Sequence, residues 1–198
     1  MTAMTKTTLS ITALGDSLTA GFGVAPTESY PRRLEQALNL EGFACRIHNA
    51  GLNGDTCRGV LSRLDSVIGR RPHWVILEIG INDILMGAMP VRIHANITTI
   101  VERLLAENTN VILADMELPP MGDPAGEKEF AQLYPLVAEK FALPRIPGFL
   151  NPVFEAPGRV QYDGLHPNAE GYAAITRHLV PWVRRALKGV PPTIANPS

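Results

Sequence analysis

Apolar residues recur along this chain in short, nearly unbroken runs, separated by longer stretches in which they return every three or four positions. The runs TLSITAL (8–14), FACRIHN (43–49), HWVILEIG (73–80), NVILADME (110–117) and the weaker PRIPGFL (144–150) have the length of strands. HWVILEIG and NVILADME are almost continuously apolar, as strands buried on both faces are, which predicts a parallel sheet with helices on each side. The intervening stretches predict helices over about 30–39, 56–68, 90–107, 127–141 and 168–188. Pro90 suits a first helical turn, whereas Pro135 is expected to kink or split the fourth helix.

Five strand–helix units joined by right-handed crossovers make a three-layer α/β/α sandwich on a five-stranded parallel sheet, flavodoxin-like in plan. A length of 198 residues suits one domain, with a core over about 8–187. The proline-rich, polar tail 189–198 is expected to fray, and Leu118 to Phe130 reads as a surface loop feeding a helix.

In such sheets ligands bind beyond the carboxyl ends of the strands. Gly15, Asp16 and Ser17 follow the first strand; NAGLNGDT, with Gly51 and Gly54, closes the second; Gly80, Ile81, Asn82 and Asp83 follow the third; YDGLHPN, with Asp163 and His166, follows the fifth. A serine, a histidine and a carboxylate at one sheet edge are the parts of a nucleophilic hydrolase. Of the five histidines, His48 and His73 fall at strand edges and His94 and His178 within helices, which leaves His166 at a strand-end loop beside a carboxylate. Asp163, three residues before it, can hold the imidazole tautomer. The backbone N–H groups of Ser17 and Gly54 and the side-chain amide of Asn82 can supply oxyanion donors. Glycine at position 54 would let backbone approach a substrate closely. Asp16 is read as structural, ordering the turn by hydrogen bonds.

Each residue also has a plain use. Ser17 can cap a helix, Asp163 and Gly164 can form a turn, His166 can simply precede a helix-starting Pro167, Asn82 and Asp83 can cap the third helix, and Gly54 can be a loop glycine. The catalytic reading accounts for all four segments at once. A nucleotide- or flavin-binding module on a similar fold is the rival from another class, but the chain has neither GxGxxG nor the GK[ST] ending of a phosphate loop. A silent interaction domain is opposed by the presence of Ser17, Asp163 and His166 together.

Charge and composition narrow the substrate. With 18 basic against 19 acidic residues, the chain has no bias toward nucleic acid or anionic lipid, and a small neutral substrate is expected. Cys45 and Cys57 lie outside any metal-ligand or disulfide spacing and read as free thiols, so no metal site is signalled. No run approaches the ~18 apolar residues of a membrane span, and MTAMTKTTLSITAL has no leader-like apolar core. A cytoplasmic protein is expected, although a chain from which a leader had been removed would look the same.

The blocks GDSLTAG, NAGLNGDT, GIND and DGLHPNAEG together resemble those of the SGNH hydrolases, or GDSL esterases and lipases. The likeness is greatest to the bacterial branch of arylesterases and thioesterase I/lysophospholipase L1. It runs from about Thr8 to Leu187, and the absence of GxSxG around Ser17 sets the chain apart from α/β-hydrolases.

The resemblance implies a serine esterase acting on short to medium acyl or aryl esters, with acyl thioesters and lysophospholipids as further candidate substrates. Ser17 would be the nucleophile, His166 the base and Asp163 the triad acid, with Ser17, Gly54 and Asn82 at the oxyanion hole and no metal or organic cofactor. A carbohydrate O-acetylesterase is the alternative within the enzyme class. Ile81 departs from the small residue that relatives often carry between glycine and asparagine, which bears on the width of the nearby cleft. The resemblance also places ILMGAM (84–89) beside the acyl chain, making Ile84, Met86 and Met89 candidate substrate contacts. The other use of this segment is to tuck Ile84, Leu85 and Met86 under the third helix.

Overall fold

The computed structural model describes residues 8–118 and 124–189. Strand β1 (Leu9–Gly15) runs into a short helix α1 (Ser17–Ala20), a 3-10 turn (Pro26–Glu28) and α2 (Tyr30–Leu40). Then come β2 (Cys45–Gly51), α3 (Cys57–Ile68), β3 (Trp74–Glu78), α4 (Ile81–Leu85), α5 (Pro90–Ala106) and β4 (Asn110–Ala114). The chain continues through α6 (Pro124–Phe141), β5 (Arg145–Ile146), α7 (Asn151–Phe154) and α8 (Ala169–Leu187). The five strands pair in the order β2-β1-β3-β4-β5, all parallel. Helices α2, α7 and α8 pack together as one layer and α3, α5 and α6 as the other.

The continuous apolar runs behave as strands covered on both faces. Val75, Ile76 and Leu77 in β3 and Val111 to Ala114 in β4 are buried without alternation, as are Ala13 and Leu14 in β1. The chain leaves β1 for β2 on one side and then crosses to β3 on the other, so the sheet's switch point lies at the end of β1. Register makes Gly15 level with Gly51 and Glu78, which brings the segments after β1, β2 and β3 to one edge.

Three expectations change. The fifth strand is only Arg145–Ile146, because Pro144 and Pro147 flank it and Pro147 has no N–H for a ladder. The segment with Asp163 and His166 therefore follows α7, not the strand itself. Pro135 lies inside α6 without splitting it: Tyr134, Val137 and Ala138 are buried on either side, and that packing outweighs the ~3 kcal/mol an interior proline costs. Helix α8 likewise continues through Pro181. Of the loop expected over 118–130, residues from Pro124 onward are helical and 119–123 lie outside the described residues, as does the tail from 190.

Candidate active site

Ser17 opens α1 immediately beyond β1. The cap of that helix is Asp16, whose Oδ1 accepts the Leu18 N–H at 2.9 Å, so Ser17 is not the capping residue and its hydroxyl is free for other partners. Ser17 Oγ lies 2.9 Å from His166 Nε2, across 149 residues of sequence. On the other side of the ring, His166 Nδ1 lies 2.7 Å from Asp163 Oδ2. Asp163 Oδ1 accepts the backbone N–H groups of Leu165 and His166, each at 2.9 Å. Desolvation acts to raise the Asp163 carboxyl, but these N–H groups and the His166 ring outweigh it and hold it at about 2. An ionised acceptor at Nδ1 places the ring proton there and turns the Nε2 lone pair toward the serine hydroxyl.

Gly54 and Asn82 stand at the same edge. Gly54 has φ +74 and no atom near the place a Cβ would take, so it is the left-handed backbone, not crowding, that calls for glycine here. Neither Ser17 N–H nor Gly54 N–H meets an acceptor among the described residues. Asn82 lies within the first turn of α4, whose cap is Gly80, so neither Asn82 nor Asp83 caps the long α5. Its amide donates to Asp55 O at 2.8 Å and to Asp16 Oδ2 at 3.1 Å. Ile81 is buried in the core, so its bulk does not enter the cleft.

The chain from Ala13 to Ala174 matches the model of the GDSL-like lipase/acylhydrolase family. This protein belongs to that family. It is 30% identical to esterase TesA of Pseudomonas aeruginosa over 88% of this chain and 87% of that protein. It is 31% identical to thioesterase 1/protease 1/lysophospholipase L1 of Escherichia coli K12, over 79% of this chain and 74% of that one. Among crystal structures, the psychrotrophic esterase EstA from Pseudoalteromonas sp., inhibited by monoethylphosphonate, superposes with a TM-score of 0.85 at 27% identity, covering 90% of this chain and 98% of that one.

In this GDSL hydrolase the turn rests on groups the sequence reading passed over. Arg63 of α3 donates through Nε to Asp55 Oδ2 at 2.8 Å, through Nη1 to Ala50 O at 2.8 Å and through Nη2 to Gly15 O at 3.1 Å, pinning the ends of β1 and β2 to the Gly54 loop. Glu78 at the end of β3 is fully buried, and its Oε2 accepts the Thr19 hydroxyl at 2.7 Å. Since Thr19 donates there, Tyr30 donates to Thr19 Oγ1, at 3.2 Å. Burial, with Asp16 close by, pushes Glu78 well above the usual carboxylate range; burial likewise raises Asp16 to about 7, helped by Asp55 and Asp83. Glu78 had a sequence signal, a lone acid inside a doubly buried strand. Arg63 had none, since an arginine on an exposed helical turn is ordinary.

The segment 84–89 is not tucked under α5 as a whole. Ile84 is half-buried against the core, whereas Met86 and Met89 are 70% and 59% exposed. Both methionines line an open groove of about 390 Å³ with Arg58, Asp83 and Arg92, whose lining does not include Ser17, Gly54, Asn82 or His166. Of the other histidines, His73 Nδ1 accepts Ser10 N–H and His178 Nε2 donates to Pro147 O, so both serve the scaffold. Cys45 and Cys57 are buried free thiols, and burial raises both. Among the described residues no helix is long and apolar enough to cross a membrane.

Proposed function

We propose that Ser17, His166 and Asp163 carry out ester hydrolysis through an acyl-enzyme. The observation that carries this reading is the unbroken relay from Ser17 Oγ through His166 to Asp163, at 2.9 and 2.7 Å. His166 Nε2 takes the serine proton as Oγ attacks the carbonyl carbon, and Asp163 stabilises the imidazolium that forms. The backbone N–H groups of Ser17 and Gly54 receive the oxyanion. Asn82 joins them by exchanging its longer bond, to Asp16, for the developing charge. His166 then protonates the leaving oxygen, and water enters by the same base to release the acid.

Because His166 must reach the leaving group, the alcohol portion lies on its side of Ser17 and the acyl portion runs over Asn82 toward Met86 and Met89. The substrates this arrangement suits are carboxylic esters of short to medium acyl chains, with aryl esters, acyl thioesters and lysophospholipids presenting the same carbonyl. The names of the relatives, esterase, thioesterase and lysophospholipase, support that class.

Ser17→Ala should lower hydrolysis of p-nitrophenyl butyrate by about 10⁴–10⁶-fold while leaving the melting transition in place. A serine-directed phosphonate should label Ser17 in the parent. Ser62 and Ser66 each donate to a backbone carbonyl one turn back, at 2.6 and 2.7 Å, and should stay unlabelled. Label on either, or full activity in the alanine variant, would overturn the assignment.

A further inference from the structure

The loop bearing His166 rests on the core through only two half-buried apolar side chains among the described residues, Val160 and Leu165. From Phe154 to His166 not one residue is buried, yet the imidazole must stay within hydrogen-bond reach of a serine on a different turn. Polar ties add to that hold. Val160 bridges to Pro167, Gln161 N–H donates to His166 O at 2.8 Å, and Asn168 N–H donates to Arg159 O at 3.0 Å, but all of these lie within the loop and its junction with α8.

Besides His166 itself, one polar side chain of the loop reaches the segment after Ser17. The Gln161 amide nitrogen donates to Pro167 O at 2.8 Å and to Phe22 O at 2.8 Å, using both its hydrogens. Among the described residues this is the hydrogen bond, besides Ser17–His166 itself, that joins the loop to the segment following Ser17. Two neighbouring features are built around it. Gly23 has φ +75, and a Cβ there would lie 2.2 Å from Gln161 Oε1, so the amide sits against bare backbone that a side chain would occupy. Phe22, whose carbonyl the amide holds, lays its ring on the His166 imidazole with centroids 4.5 Å apart.

We infer that Gln161 is a positioning residue, whose amide ties the His166 loop to the Ser17 turn and thereby sets the alignment of that pair. This rests on the assignment of Ser17 and His166 made above. Among the described residues the Gln161 side chain makes no hydrogen bond to the Ser17, His166 or Asp163 side chains, so its effect runs through their alignment and belongs on the rate of attack. A misplacement of about 1 Å at a reacting pair is enough to cost about 100-fold in rate.

The test compares side chains of like reach and different hydrogen-bonding capacity. Gln161→Met fills the space without a donor, and Gln161→Lys restores donors on a flexible stem. The methionine variant should lose about ten- to a hundredfold in kcat on p-nitrophenyl butyrate with KM within about twofold, and the rate of phosphonylation of Ser17 should fall in step. The lysine variant should recover most of both. Parental rates in the methionine variant, or equal impairment of both variants, would overturn the inference, since side-chain shape and not donation would then matter. If the methionine variant does not fold, Gln161→Glu keeps the carbon skeleton and sets a carboxylate against two carbonyls, so parental kcat there also overturns it. An active Ser17→Ala would instead show that the reading of the pair itself is wrong, whatever the Gln161 variants do.

Discussion

At the scale of single residues, the side chain whose role is most exposed to test is Asn82. Its amide is already satisfied by Asp55 O and Asp16 Oδ2, so it braces the edge as well as facing the proposed oxyanion position. Asn82→Ala should therefore lower kcat by about 10²–10³ and also cost about 1 kcal/mol of stability from the lost ties. Steady-state kinetics and urea unfolding on the same variant separate the two effects. A rise in KM with kcat unchanged would mean that Asn82 binds substrate or braces the loop without meeting the oxyanion. Asp16, read from sequence as an ordering residue, holds both the Leu18 N–H and the Asn82 amide.

Among the elements, the α4–α5 connection is where substrate preference can be tested without disturbing the core. Met86 and Met89 are mostly exposed, so replacing both with serine should barely move Tm. If the acyl chain lies against them, each buried methylene adds up to ~0.8 kcal/mol, or roughly fourfold in kcat/KM, until the contact is full. On p-nitrophenyl esters from acetate to decanoate the parent should show that rise, and Met86→Ser/Met89→Ser should flatten it while acetate turnover stays within about twofold. Parallel profiles would place the acyl chain elsewhere.

For the whole molecule, the acids buried around the turn make stability depend on pH in an unusual direction. Desolvation raises Asp16 from the ordinary 3.8 to about 7, so between those values the folded state holds a proton that the unfolded chain has released. Stability from this group is complete below about pH 4 and is lost as pH rises toward 7. Glu78, also raised, acts in the same sense. Asp163, held at about 2, works oppositely: its contribution is present above about 4 and falls away only as pH drops toward 2, below this window. Asp115, raised by burial to about 7, adds in the same sense, while His48, lowered by burial, opposes them. In urea unfolding Asp16→Asn, neutral throughout, should lower the stability at pH 5 relative to pH 7 by on the order of 2 kcal/mol compared with the parent. An Asp16→Asn variant with the same pH 5 to pH 7 difference as the parent would contradict a protonated Asp16.

Much of this architecture is legible in one dimension because parallel strands covered on both faces have to be apolar at every position. HWVILEIG and NVILADME announce themselves that way, and the residues after strands of such a sheet share one edge, which made Ser17, Gly54, Asn82, Asp163 and His166 readable as one constellation. The two-residue β5 was not legible in length, since PRIPGFL is apolar enough for a strand while its prolines withhold ladder hydrogen bonds. Pro135 misled for the opposite reason: a local penalty was outweighed by burial of Tyr134, Val137 and Ala138, which only packing supplies.

Three-dimensional proximity alone decided the rest. Arg63 reaching Gly15 O, Glu78 beneath Thr19, Asp16 against Asn82 and Gln161 against Phe22 O join residues whose spacing along the chain follows no period. Pattern reports which face a residue turns to water. It carries no information about which distant carbonyl a particular donor will meet, because that partner is set by how the elements pack.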